Sequence, residues 1–174
     1  MTRVVLRARI GALIGALIAS TASVAHGQEP ARAERLVRFA VRALDGVDVR
    51  VGPGERPTLV AVFATWCRSC KDEVATLNAM QHEYSMTGVR VLAVSAGDED
   101  SSHVQRWTER LGAAYPIATD ADGAIARALG VVGVPEFHLI SGAGRELFTR
   151  RGPIGSTLSA LRAAIAALPN ARPK

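Results

Sequence analysis

The chain has 174 residues, 48% of them hydrophobic, with 21 basic and 16 acidic side chains, four histidines and only two cysteines. That length suits one buried core rather than several domains. No basic run with interleaved aromatics is present, so nucleic-acid binding has nothing to rest on, and the net charge of +5 owes three arginines to the first nine residues.

Residues 1–27 have the three parts of an export signal. Arg3, Arg7 and Arg9 form a basic start without acids, Ile10–Ala19 is apolar, and small residues follow. Ala25-His26-Gly27 and Ser23-Val24-Ala25 are the candidate cleavage sites. The competing reading is an uncleaved membrane anchor. No Asp, Glu, Lys or Arg occurs from Ile10 to Gln28, close to the roughly 20 residues a spanning helix needs. No cysteine lies near residue 20, which excludes a lipoprotein. Cleavage would leave 147 residues with 18 basic and 16 acidic side chains, a net charge of +2. Such a signal predicts a bacterial periplasmic protein, where a cysteine pair can cycle between thiol and disulfide. Gln28–Arg35 reads as a solvated linker, 36–168 as the domain, and Pro169–Lys174 as a loose tail.

Leu36–Ala43 and Val47–Val51 lean to β structure around the turn signal Asp45-Gly46. After a Gly/Pro loop, Thr58–Ala64 is a continuous apolar run, the mark of a central strand covered on both faces. A helix is expected from about Cys67 to Thr87-Gly88, with Val74, Leu77, Met80 and Tyr84 on one face. Val89–Ser95 is a second buried strand. Asp98, Glu99, Asp100 and Ser101 then supply acids and a cap for a helix to about Leu111. A short helix at Ala124–Leu129, strands at Phe137–Ile140 and Glu146–Arg150, and a last helix packing Leu158, Leu161, Ile165 and Leu168 complete the chain. This order predicts an α/β sandwich around a central mixed sheet, with a short N-terminal β extension.

Both cysteines fall in ATWCRSCKDEV, residues 64–74, where the first buried strand hands over to a helix. That is the carboxyl end of the sheet, where α/β proteins place their sites. A structural disulfide over so short a loop contributes only about 2 kcal/mol before strain. A c-type haem site needs histidine after the second cysteine, and Lys71 stands there. Structural zinc wants four ligands, and His26, His82, His103 and His138 are scattered. A redox pair is the favoured reading, and it calls for no cofactor.

VAVFATWCRSC, followed later by GVPEFHLI, resembles the thioredoxin fold and, more narrowly, the TlpA-like periplasmic thiol–disulfide oxidoreductases, which include the cytochrome c maturation thioredoxins. The resemblance covers about residues 36–168. Ala61 stands where ordinary thioredoxin has a buried aspartate, and Glu73 stands where TlpA-like proteins often carry a glutamate. Gly133-Val134-Pro135-Glu136 resembles the family's cis-proline segment. The departures are Ser69 for the usual proline, and Pro135-Glu136-Phe137-His138 for the usual Pro-x-Thr-Phe. The Pro-x-x-x-Thr-x-x-Cys pattern of peroxiredoxins is absent.

A thiolate attacks disulfides, and a helix start favours the anion. Cys67 is therefore expected to attack and Cys70 to resolve the mixed disulfide. Trp66 is expected to shoulder the site, with ordinary half-buried packing as its alternative. Pro135 is expected cis, setting the Val134 backbone beside the cysteines for an extended substrate; a plain trans turn is the alternative. Glu73, one helical turn from Cys70, either exchanges protons with it from a buried position or complements the helix dipole in solvent. Ser69 and Arg68 both favour the Cys67 thiolate, which predicts a potential less negative than thioredoxin's approximately −270 mV. The resemblance implies a reductase of protein disulfides, fed by a membrane thiol transporter and acting on apocytochrome c or copper-site cysteines. A rival reading, a copper-delivery module, would combine Cys67, Cys70 and His138 as soft-metal ligands.

Overall fold

The apolar run Thr58–Phe63 (β3) lies in the middle of a five-stranded sheet, and all six of its residues are buried. The computed structural model describes residues 36–169; the expected signal, the linker and all but the first residue of the tail lie outside them. Two strands precede β3, Phe39–Arg42 (β1) and Asp48–Val51 (β2), and they pair antiparallel as a separate hairpin sheet. After β3 come Arg68–Tyr84 (α1), Arg90–Ala96 (β4), Ser101–Arg110 (α2), Ile117–Asp120 (β5), Ala124–Leu129 (α3), Glu136–Ile140 (β6), Glu146–Arg151 (β7) and Leu158–Ala166 (α4). The large sheet runs β5-β4-β3-β6-β7. β3, β4 and β5 are mutually parallel, while β6 and β7 run antiparallel to their neighbours. This mixed sheet flanked by helices is the thioredoxin fold expected from the sequence.

Alternation along the strands sends neighbouring side chains to opposite faces. Leu59, Ala61, Phe63 and Phe137 cluster with Leu77 of α1, Val104 of α2 and Leu161 of α4. Val60, Val62 and Leu92 cluster instead with Val49 and Val51 of the hairpin and Ile125 and Leu129 of α3. Each such aliphatic side chain contributes about 1.5–3 kcal/mol through burial. The helix boundaries follow their caps. Asp100 Oδ1 accepts the His103 N–H at 2.9 Å to open α2. A 3-10 turn at Ser85–Thr87 and Gly88, at φ +87°, end the first helical stretch, a conformation glycine adopts without penalty.

Several boundaries shift by a residue, and three local features depart further from the expectation. β5 was not anticipated: it is four residues long, follows Pro116 and reads Ile-Ala-Thr-Asp without clean alternation, so only pairing with β4 makes it a strand. β1 begins at Phe39 rather than Leu36, because the chain first docks on the β6–β7 turn, where the Val37 N–H donates to the Gly144 carbonyl at 2.8 Å. The side chain of Glu99 does not serve the start of α2 and reaches across to Thr65 instead. Among the described residues no helix is long and apolar enough to cross a membrane.

Candidate functional site

The turn Ala64–Trp66 carries the chain from β3 into α1, and Cys67 is the residue that caps the helix. Its backbone is extended (φ −80°, ψ 108°) and its Sγ accepts the Cys70 N–H at 3.2 Å. A sulfur used as an N-cap sits at the unpaired N–H groups and the positive end of the helix dipole, which favour a thiolate there. Cys67 and Cys70 are joined as a disulfide. Their exposures of 7% and 4% are too alike to assign roles; the cap position is what distinguishes Cys67. Ser69 Oγ lies 3.7 Å from Cys67 Sγ, an added polar neighbour where the usual proline would offer none.

The strand-to-helix turn is fastened from a second direction. Both carboxylate oxygens of Glu99 lie 3.1 Å from the Thr65 N–H, and the Thr65 and Ser95 hydroxyls also donate to Glu99. His103 Nε2 sits 3.2 Å from Thr65 Oγ1. Sequence reasoning missed this anchor, since Glu99 lies 34 residues from Thr65 and reads locally as a helix-start acid.

Glu73 is buried, at 7% exposure, and belongs to the second turn of α1. The solvent-exposed helix-dipole alternative is therefore removed. Loss of water pushes its carboxyl above the ordinary glutamate value; the Ile154 N–H, 3.0 Å from Oε1, pulls it back, and Asp72 pushes it further up. Ile154 is 81 residues from Glu73, so no local signal could have named it. Glu73, Cys70, Trp107, Tyr115, Pro135 and Phe137 border a cavity of about 20 Å³, room for a single water. Burial also raises the Tyr115 hydroxyl well above the ordinary tyrosine range.

The Val134–Pro135 peptide is cis. Pro135 is buried beside Cys70 and Glu73 along the cavity, while Val134 is half-buried. The Gly152 N–H donates to the Pro135 carbonyl at 2.8 Å, two residues before the Ile154 N–H that holds Glu73. One short loop therefore touches both the proline and the glutamate. Trp66 is 75% exposed and Val132 is 74% exposed, which removes the half-buried alternative for Trp66 and leaves two large apolar side chains in solvent at this end of the molecule.

His138 is not where a copper site would need it. It pairs in register with Val60, on the face opposite Phe137 and α1, and is buried there. Among the described residues no group of three His, Cys, Asp or Glu is placed to hold a metal ion. The copper reading fails on strand parity, because adjacent strand residues face opposite sides.

Known proteins resemble this chain in sequence and in fold. The AhpC/TSA family profile matches residues 34–151. The thiol:disulfide interchange protein DsbE of Escherichia coli (strain K12) is 31% identical over 160 residues, covering 82% of this chain and 80% of that protein. The thiol-disulfide oxidoreductase ResA of Geobacillus thermodenitrificans (strain NG80-2) is 34% identical over 83 residues, covering 48% of this chain and 47% of that one. Among solved structures, a putative DsbE from Chlorobium tepidum superposes with a TM-score of 0.67 at 26% identity, covering 77% of this chain and 94% of that one.

Proposed function

This chain belongs to the AhpC/TSA family and is a thiol–disulfide oxidoreductase, and from that premise we propose that it works as a periplasmic reductase of protein disulfides. Its partners are disulfide-bearing substrates and a redox partner that recharges it. The observation that carries the residue assignment is the capping of α1 by Cys67 Sγ. In the reduced protein Cys67 attacks as thiolate. It bonds to one substrate sulfur and expels the other as a thiolate, which takes up a proton. Cys70 gives its proton to Glu73 or to a water in the adjoining cavity, then attacks Cys67 Sγ and releases the second substrate sulfur. The substrate gains two electrons and two protons, and Cys67–Cys70 becomes the disulfide. Glu73 suits the proton step because it is buried and held above the ordinary carboxyl range. Trp66, Val134 and Pro135 form the docking edge for an extended substrate segment.

Export by residues 1–27, a membrane thiol transporter as electron donor, and apocytochrome c or oxidase copper-site cysteines as targets belong to this proposal. The domain is taken as 36–168. Trapping the thiol state of Cys67 and Cys70 in intact cells tests the direction. A largely reduced pair is expected, and a largely oxidised pair would make the protein an oxidase.

A further inference from the structure

On the sheet face away from the cysteines lies a cluster of four ionisable side chains that the redox chemistry does not use. Glu136 and His138 on β6 point to the same side as their register partners Val62 and Val60. A register shift between Leu139 and Ile140 sets Glu146 opposite Ile140, and a bulge of this kind turns its side chain to that side as well. His138 is 1% exposed; its Nδ1 lies 2.5 Å from Glu146 Oε1 and its Nε2 lies 3.5 Å from Glu136 Oε1. Nε2 is the one buried side-chain nitrogen or oxygen without a hydrogen-bond partner among the described residues. Glu136 is equally buried. Its Oε1 accepts from Arg151 Nε at 3.3 Å, and its Oε2 accepts the Val132 N–H at 3.2 Å.

Nδ1, so close to a carboxylate oxygen, must carry a proton. A bare Nε2 would then oppose its lone pair to the Glu136 carboxylate in a site closed to water, an arrangement with no compensating bond. A second proton removes the conflict and gives both carboxylates a cationic neighbour. Among the described residues, Glu136 and Glu146 are the ionisable groups found paired with His138. β3 presents Thr58, Val60 and Val62 to this face, and the hairpin and α3 present Val49, Val51, Ile125 and Leu129. Arg38, Arg42, Asp48, Arg50, Arg127 and Arg145 are exposed. Arg90 of β4 donates to Thr58 Oγ1 and the Arg50 carbonyl.

We propose that His138 is an imidazolium shared between Glu146 and Glu136, and that it is a positioning residue for substrate docking. Its Nε2–H fixes Glu136, and Glu136 fixes the Val132 N–H, three residues before Pro135. The docking role rests on the proposed use of Val134 and Pro135 as a substrate edge; the charge assignment does not.

Long-range proton–nitrogen NMR spectra of the full chain, from about pH 5 to 8 where histidine changes charge, read both ring nitrogens. Both are expected protonated at pH 5, and the Val132 and Gly133 amides are expected to move with any titration of the ring. A bare Nε2 at pH 5, or amides indifferent to that titration, overturns the proposal. His138→Asn keeps a donor for Glu146 and removes the one facing Glu136. It is expected to raise KM for an extended disulfide peptide about threefold to tenfold, with kcat unchanged and reduction of oxidised glutathione unaffected. His138→Gln, whose amide can reach the Nε2 position, is expected to recover part of that loss. Equal losses on both substrates, or no loss on either, would overturn the positioning role. If the parent protein fails to reduce the peptide at all, the docking reading falls, and the spectra alone decide the charge.

Discussion

Two buried glutamates approach Pro135 from opposite faces of the sheet, and their surroundings differ. Glu73, on the α1 face, has among the described residues a backbone N–H from Ile154 and no cation beside it, so burial dominates and the carboxyl is pushed up. Glu136, on the hairpin face, has Arg151, His138 and the Val132 N–H around its two oxygens. A carboxylate left short of partners is suited to accepting a proton, whereas one surrounded by donors is suited to holding a segment in place. The same residue type is thus suited to proton transfer on one face and to support on the other.

The largest effect expected on the α1 face is at the cysteines. Cys67→Ser should abolish turnover and trap no substrate, while Cys70→Ser should accumulate mixed disulfides through Cys67, read on non-reducing gels with mass spectrometry. Equal trapping by both would erase the distinction drawn from the helix cap. Next is Glu73→Gln, which keeps an acceptor for the Ile154 N–H but cannot take a proton. It should slow resolution by about 10²-fold and flatten the pH profile of reduction. Because folding raises the Glu73 carboxyl, the native state binds the proton more tightly than the unfolded chain, and stability falls as pH climbs above the ordinary 4.5. Glu73→Gln should therefore gain stability over the parent as pH rises, measured by denaturant melts; a constant offset would make Glu73 a packing residue.

Arg68→Gly with Ser69→Pro should move the potential by about −30 mV, measured against a glutathione buffer, by removing the donors and charge near Cys67 Sγ. A more oxidising double variant would contradict the electrostatic account of this helix start. The smallest effect concerns Phe63 and Trp107, stacked with centroids 5.5 Å apart at an interplanar angle of 18° beside the cavity. A double-mutant cycle to leucine should return about 0.5–1.5 kcal/mol of coupling in stability. A cycle to alanine on the cross-strand pair Val60 and Leu92 of the hairpin face, two aliphatic side chains, should return less.

The cysteine pair, the strand that delivers it, the start of α1 and the burial of Val74, Leu77 and Met80 were legible in the chain, because each depends on neighbours within one turn or one strand. Signals of that range also placed Pro135 ahead of β6 and Asp100 at the start of α2. Partners brought by pairing and packing were not legible. β5 exists because β4 lies beside it. Glu73 owes its raised carboxyl to burial and takes its hydrogen bond from Ile154, Thr65 is held by Glu99, and His138 faces Glu136 and Glu146 because of strand parity and one bulge. Propensity and capping act along the chain and can be read from it. Desolvation, and the choice of hydrogen-bond partner inside a core, depend on which surfaces exclude water from one another, and only the folded chain decides that.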